Sequence, residues 1–338
     1  MNIIWRLATG HRFEYDDGAA KEAIQHMEAF TMEKTLGIMA GVSYAKYFPP
    51  FQGIYSNIKT HMEKFKSQLL TVMYEGCDED DSTYVHKFLA EQQAGKNSAR
   101  FTEEQLITSL FDFFTGGSGT MSKTLSFCFL YLLHYPEMQE KIRLEVNSVL
   151  QENNQLTINM ADGLPWTQAF ILEVQRLSSV LPICPPRQVS ADIEICGCKL
   201  YKGQRVQLNL YAMHRNEGHW GPDAAKFRPQ RFLDEQGNVR QDDWLQPFGY
   251  GNFLSLHLQV KSRHHEIKFE FLISGKRKCL GEAVAKTTIV LLLANLVKDF
   301  QFDKVDNGKS LPDTEPVGGL TLMPQDFEIQ VKTLFTAS

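Results

Sequence analysis

Apolar residues recur at three- and four-residue intervals through most of the first half of the chain. In "EAIQHMEAFTMEKTLGIMAG", Ile24, Met27, Phe30, Met32, Leu36 and Met39 stand near helical spacing. The stretch "EEQLITSLFDFFTGGSGTMSKTLSFCFLYLLHY", Glu103 to Tyr135, carries the same period and is apolar on nearly every side. That pattern predicts one long helix at the centre of a large protein. Pro136 stops it, and "PEMQEKIRLEVNSVL" predicts a new helix with proline near its first turn. Residues 166 to 179, "WTQAFILEVQRLSS", predict another. After "PICPPR" the period changes to two: "ADIEICGCKLYKGQRVQLNL" alternates around "CGC" and "KG", which predicts strands joined by tight turns. A proline-broken loop, "GPDAAKFRPQRF", follows. The last part predicts a strong helix over 282 to 299, then a β-hairpin turning at "VGGLTLMPQDFEIQV". The expected class is mainly α with small β-sheets, an α+β fold.

Composition narrows the function classes. Hydrophobic residues are 43% and charged residues 22%, a globular usage. A net charge of −5, from 35 basic and 40 acidic residues, gives no electrostatic reason for a nucleic-acid partner. The longest apolar run, "TIVLLLANLV" at 288 to 297, is half the ~20 residues a membrane span needs, so no anchor is expected in this chain. "MNIIWRLATGHRF" does not read as a signal peptide. Cysteines 77, 128, 184, 196, 198 and 279 are irregularly spaced, which fits a reducing compartment better than a disulfide framework. Cys196 and Cys198 read as a strand-turn pair, because no second pair completes a metal site.

Candidate chemistry concentrates in "GKRKCLGE", residues 275 to 282. A thiolate that binds a metal is favoured at a helix N-terminus, where free N–H groups and the dipole stabilise negative charge. Cys279 precedes such a helix. Gly281 lets backbone lie flat against a planar ligand, and Arg277 can pair with a carboxylate on it. The octapeptide alone is equally compatible with a structural cysteine at a helix start. In "TGGSGTMS", Gly116, Gly117 and Gly119 each cost a helix interior ~1 kcal/mol relative to alanine, which points to a functional irregularity. Thr120 has two readings there: a functional hydroxyl, or one bonding back to its own helix. "GGSG" lacks the Gly-Lys-Ser/Thr ending of a phosphate loop. "GYGNFL" lacks the third glycine of a dinucleotide fingerprint.

Taken in chain order, these motifs resemble the cytochromes P-450, the haem-thiolate monooxygenases, of the microsomal animal type. "GKRKCLGE" is similar to the second half of their "FxxGxRxCxG" signature. "EVQR" matches their Glu-x-x-Arg helix through Glu173 and Arg176. "FRPQRF" resembles the loop whose arginine, here Arg231, closes a salt-bridge triad with that helix. "PPRQV" places Arg187 at a haem-propionate position, and "DFFTGGSGTMSKTL" resembles the helix over the oxygen-binding face.

The resemblance implies a P-450 fold, incomplete at the N-terminus, and haem b (iron protoporphyrin IX) as cofactor. Cys279 would ligate the iron. Arg187, Phe248, Arg277, Gly281 and Gly116 would line the cofactor, and Thr120 the oxygen pocket. It further implies insertion of one oxygen atom from O2 into a lipophilic small molecule: a hormone, lipid or xenobiotic. Electrons would come from NADPH through a separate reductase, or from a small iron-sulfur protein. Substrate contacts are expected around Phe113 to Gly117, Val180 to Pro185 and Gly318 to Thr321. The family's site is the cytosolic face of the endoplasmic reticulum membrane; a chain without the anchor is expected in the cytoplasm as well.

Several features depart from that pattern. Gly119 stands where the family usually has an acidic residue, and "PQRF" replaces Pro-Glu-Arg-Phe. The resemblance begins partway through the helical domain, so the anchor, the first sheet, the loop over the substrate and the helix with a second propionate contact are expected to lie outside this chain. Glu140 and Arg143 form another Glu-x-x-Arg, and only its place before "PPR" and "PQRF" favours Glu173. Finally, 24 residues, 252 to 275, interrupt the signature between "PFGYG" and "KRKCLGE". Joining Gly251 to Lys276 restores it; without the join, Leu272 and Gly275 take those positions. Two explanations stand. One is a retained, normally untranslated segment. The other is a β-hairpin, since "LSLHLQV" and "IKFEFLI" alternate at period two around "KSRHHE". His257, His264 and His265 read as solvated turn and strand positions.

The chain thus divides into a helical part (1–165), a Glu-x-x-Arg and hairpin part (166–251), the insertion (252–275) and the cysteine loop with its helix and hairpin (276–338). Two alternatives to the monooxygenase remain at this level: a catalytically inactive truncated or mis-spliced form, and a non-redox helical binding protein.

Overall fold

Capping residues set the first boundaries. Thr83 accepts from the His86 amide and Thr102 from the Gln105 amide, each starting a helix. A computed structural model of the chain describes residues 2–31, 47–49, 51–76, 82–95, 100–150, 155–195, 197–249, 256–261, 266–271 and 278–334. The chain divides into two compact units, Met1–Ser122 with Gly318–Thr321, and Lys123–Val317 with Leu322–Ser338.

The first unit contains α1 (Asn2–Thr9), α2 (Gly18–Thr31), α3 (Phe51–Gly76), α4 (Tyr84–Gln93) and α5 (Glu103–Gly117). Their apolar stripes meet in one cluster containing Trp5, Phe65, Leu69, Val85, Phe88, Leu106, Leu110 and Phe114. Of the first predicted helix, Met27 is buried in α2, while Met32, Leu36 and Met39 lie outside the described residues.

The long helix predicted over Glu103 to Tyr135 is divided at Ser118, into α5 and α6 (Gly119–His134). Three glycines around one serine weaken the helix interior there. A Cβ at Gly117 would lie 2.8 Å from Ile4 Cδ1 of α1, so the tip of that side chain would have to shift.

The second unit takes most of α6, with Phe127, Leu130, Tyr131 and Leu132 buried. It continues with α7 (Glu137–Val149), α8 (Pro165–Ser178), α9 (Leu210–His214), α10 (Glu217–Trp220) and α11 (Glu282–Asp299). No residue of α8's own N-terminus caps it by a side chain. Glu145 of α7 does so instead, accepting from the amides of Trp166 (2.6 Å) and Thr167 (2.8 Å) and from the Thr167 hydroxyl (2.6 Å). A carboxylate at that end also complements the helix dipole.

Strands in this unit are short and antiparallel. β1 (Arg187–Gln188) pairs with β4 (Arg205–Val206), and β2 (Ile193–Ile195) with β3 (Cys198–Leu200) around Gly197, whose φ is +76°. β5 (Leu256–Lys261) pairs with β6 (Glu266–Phe271). β7 (Phe300–Lys304) directly follows α11. Short strands β8 (Val317–Gly318), whose second residue belongs to the first unit, and β9 (Leu322–Met323) come next, and β10 (Ile329–Thr333) returns to pair with β7. The segment "EIQV" was expected within the terminal hairpin. It pairs with β7, where Gln139 of α7 adds two side-chain bonds to Phe302, accepting from its amide (2.9 Å) and donating to its carbonyl (2.8 Å). Among the described residues, no helix is long and apolar enough to cross a membrane.

Candidate functional site

Glu173 and Arg176 are one helical turn apart on α8, and both are fully buried. Burial of two charges is tolerable only where each finds complete hydrogen bonding. Arg176 donates from Nε to Glu173 Oε2 (2.7 Å) and from Nη2 to Oε1 (2.9 Å), a bidentate pair. Arg231 reaches the same carboxylate, Nε to Oε1 at 2.9 Å, and the Arg228 amide donates to it at 2.9 Å. The remaining guanidinium protons go to backbone carbonyls: Arg176 to His214 (2.8 Å), Arg231 to Trp220 (3.3 Å) and Asp223 (3.2 Å), and both to Lys226. The Arg176 guanidinium lies 5.1 Å from the Trp220 ring centroid. Backbone groups of His214, Trp220, Asp223, Lys226 and Arg228 are thus tied to one buried cluster of charges.

A neighbouring residue was not singled out from the sequence. His214 is fully buried at the end of α9. Its Nε2 accepts from the Gln246 amide (3.1 Å), so the proton of the neutral ring sits on Nδ1 and is donated to Ser179 Oγ (2.9 Å). The Ser179 hydroxyl donates in turn to the Arg176 carbonyl (3.0 Å). Burial, with the charges of Arg176 and Arg215 adding to it, holds the imidazole pKa down to about 3. A lone histidine in "YAMHRN" carries no periodic signal that distinguishes it; only its tertiary position does.

Cys279 lies at the start of α11, two residues before its N-cap Gly281. Its amide donates to the Phe248 carbonyl at 3.2 Å. The pairing of β5 with β6 has a matching index sum. Leu256 faces Phe271 and Lys261 faces Glu266, so every paired index sums to 527 (256 + 271, 261 + 266). Phe248 and Cys279 give the same sum (248 + 279), as do Gly251 and Lys276 (251 + 276). Gly251, Lys276 and Arg277 themselves lie outside the described residues, as do His264, His265, Leu272 and Gly275; for His257 only the backbone is described.

The thiol of Cys279 is exposed. A Cβ added at Gly281 or Gly249 would meet nothing within 4 Å, and Leu280 is 83% exposed. An accessible sulfur at the N-terminal end of an 18-residue helix, with open space and an exposed leucine beside it, fits a flat apolar group that carries a metal. These residues therefore fit a haem. Beside the sulfur, Glu282 is paired with Lys278 (2.6 Å) and Lys286 (2.7 Å). Burial raises the Glu282 carboxyl, but the two lysine hydrogen bonds outweigh it and hold the pKa below the usual value. Lys286 Nζ also sits 5.6 Å from the Phe248 ring centroid.

Arg187 is placed in β1 opposite Val206, and its charge opposes the effect of burial on Cys184, whose thiol is pushed up. Val180, in the same unit, accepts from the Leu322 amide at 2.8 Å. In the first unit, the Thr120 hydroxyl donates to the Gly116 carbonyl at 2.6 Å, one turn back on its own backbone. A Cβ at Gly116 or Gly119 would meet nothing within 4 Å. The buried Thr115 and Ser118 hydroxyls have no hydrogen-bond partner among the described residues. A groove of about 610 Å³ in this unit is lined by Tyr84, Phe88, Arg100 and Phe101 among others, and by none of the candidate residues.

Comparison with known proteins gives the following. The family model described as Cytochrome P450 matches residues 1–252, ending where the insertion begins. Cytochrome P450 2J5 of Mus musculus is 31% identical over 317 residues, covering 91% of this chain and 58% of that protein. Cytochrome P450 2J2 of Homo sapiens is 30% identical with the same coverage. Farnesoate epoxidase of Bombyx mori is 25% identical over 338 residues, 97% of this chain and 62% of that protein. The chain thus spans less than two thirds of the length of these relatives.

Proposed function

We propose that this chain, which belongs to the cytochrome P450 family, binds haem b through Cys279 and inserts one atom of O2 into a lipophilic small molecule. Held by the Cys279 thiolate, a haem would supply the oxygen-activating chemistry, to which an electron-rich sulfur ligand is suited. The chain's own residues hold and gate that chemistry. Cys279 provides the sulfur, and Gly281 leaves room beside it. Phe248 presents the carbonyl that anchors the Cys279 amide. Arg187 and Arg277 neutralise the propionates. Glu173, Arg176 and Arg231 clamp the backbone between His214 and Arg228, upstream of the loop.

Thr120 holds a proton-bearing hydroxyl at the glycine-rich break between α5 and α6. The usual neighbouring carboxylate is replaced by Gly119, which weakens proton supply at that hydroxyl and lowers the share of NADPH electrons recovered in product. Electrons reach the site from NADPH through a separate reductase. The working location is the cytosolic face of the endoplasmic reticulum membrane. The name of the Bombyx mori relative, an epoxidase of farnesoate, supports an oily, unsaturated substrate class.

The observation that carries this reading is the hydrogen bond from the Cys279 amide to the Phe248 carbonyl, in register with the hairpin between them. The test is a reduced carbon-monoxide difference spectrum of the purified 338-residue chain. The expected result is a thiolate-type Soret band that Cys279→Ser abolishes. A chain that takes up haem with an unchanged band in Cys279→Ser overturns the assignment, and a chain that takes up none supports the inactive or non-redox alternatives.

A further inference from the structure

We propose that His214 is a positioning residue for the Cys279 loop. Acting through Gln246, it fixes the segment whose Phe248 carbonyl receives the Cys279 amide. The connection is a single run of directed hydrogen bonds. Gln246 N–H donates to His214 Nε2, His214 Nδ1–H donates to Ser179 Oγ, and Ser179 O–H donates to the Arg176 carbonyl. Arg176 closes the circuit by donating from Nη1 to the carbonyl of His214 itself (2.8 Å). Two residues beyond Gln246, Phe248 accepts from Cys279.

Only a neutral imidazole with its proton on Nδ1 satisfies both ends of this run. A ring protonated on both nitrogens would turn Nε2 into a second donor facing the Gln246 amide. Complete burial, with Arg176 and Arg215 adding positive charge nearby, keeps the ring in the neutral form. The fold also retains an unfavourable backbone conformation at the next link. Ser179 has φ of 41°, the only positive φ among described non-glycine residues. Glycine would relieve that conformation but has no hydroxyl to receive Nδ1–H and pass a proton bond to Arg176. The buried cluster on α8 is therefore linked through an imidazole to the Gln246 amide, two residues before Phe248.

The functional meaning of this role rests on Cys279 being the haem ligand, but its first test does not. Amide hydrogen exchange is measured on the haem-free 338-residue chain by peptide mass spectrometry, comparing the peptide containing Cys279 with the α8 peptide as a folding control. His214→Gln retains an acceptor near Nε2, whereas His214→Asn reaches only the Nδ1 side. The account expects exchange at Cys279 to rise about tenfold in His214→Asn, as for loss of one net hydrogen bond, and to stay near wild type in His214→Gln, with α8 unchanged in both. If His214→Asn also loses protection in α8, Ser179→Gly carries the test, because glycine suits the backbone there. It is expected to speed Cys279 exchange while leaving α8 protected.

After haem is added, His214→Asn should show a diminished thiolate-type Soret fraction, and His214→Gln should retain it. Equal effects of Asn and Gln, or an unmoved Cys279 amide in both His214→Asn and Ser179→Gly, overturn the proposal. Absence of the thiolate band in the wild-type chain instead overturns the haem assignment and leaves the exchange result standing.

Discussion

Two Glu-x-x-Arg pairs occur on successive helices of this chain, and they behave in opposite ways. Glu140 and Arg143 on α7 make one ion-pair contact of 2.7 Å, with the glutamate side chain 60% exposed. Arg143 also donates to the Val297 carbonyl and to Gln301 Oε1, tying α7 to α11 and β7. Glu173 and Arg176 on α8 have the same spacing and the same contact distance of 2.7 Å, but neither side chain is exposed at all. The carboxylate of Glu173 then has four donors, two from Arg176, one from Arg231 and one from the Arg228 amide. Spacing supplies the pair in both cases. Burial converts one of them from surface decoration into the point where several backbone segments are fastened, because a desolvated charge demands every partner it can reach.

The sharpest way to break this contrast is Glu173→Ala, which strands two buried guanidinium groups. The expected loss is about 3–5 kcal/mol of stability, read by urea denaturation, or loss of soluble protein altogether. Next comes the pH dependence of the same cluster through His214. Its pKa in the folded chain lies near 3, below its ordinary 6.5, so the unfolded chain binds the extra proton first. Stability is therefore full above pH 6.5 and falls as pH drops toward 3, at about 1.4 kcal/mol per unit. Between pH 6.5 and 5 the expected decline from this group is about 2 kcal/mol, and His214→Gln should remove it from a denaturation series. The smallest effect belongs to Glu140→Gln, expected to change stability by less than about 1 kcal/mol, since an exposed pair is screened by water and salt. An equal loss in Glu140→Gln and Glu173→Gln would mean that burial is not what separates the two motifs.

The order of motifs along the chain makes the helical architecture and the pair Glu173 and Arg176 readable in the sequence, whereas period-two alternation offers a hairpin for the insertion only as one of two explanations. The pairing of "EIQV" with β7 was not readable. A two-residue alternation says that a strand exists but not which distant strand it meets, and Gln139 contributes from another helix. The division at Ser118 was half legible: the glycines announce an irregularity but do not fix which residue interrupts the helix. His214 and Glu145 were illegible for a common reason. Each acts on backbone groups brought near by tertiary structure, the Gln246 amide in one case and the Trp166 and Thr167 amides in the other. Backbone donors leave no mark in a sequence pattern.

The claim on which the account turns is that Phe248 and Cys279 form one loop despite the 24-residue insertion between them, whose described strands β5 and β6 pair antiparallel. The direct measurement compares haem-reconstituted wild-type chain with a form in which residues 252–275 are deleted and Gly251 is joined to Lys276. The account predicts the same thiolate-type Soret band of the reduced carbon-monoxide complex in both. A band present only after the deletion would contradict it.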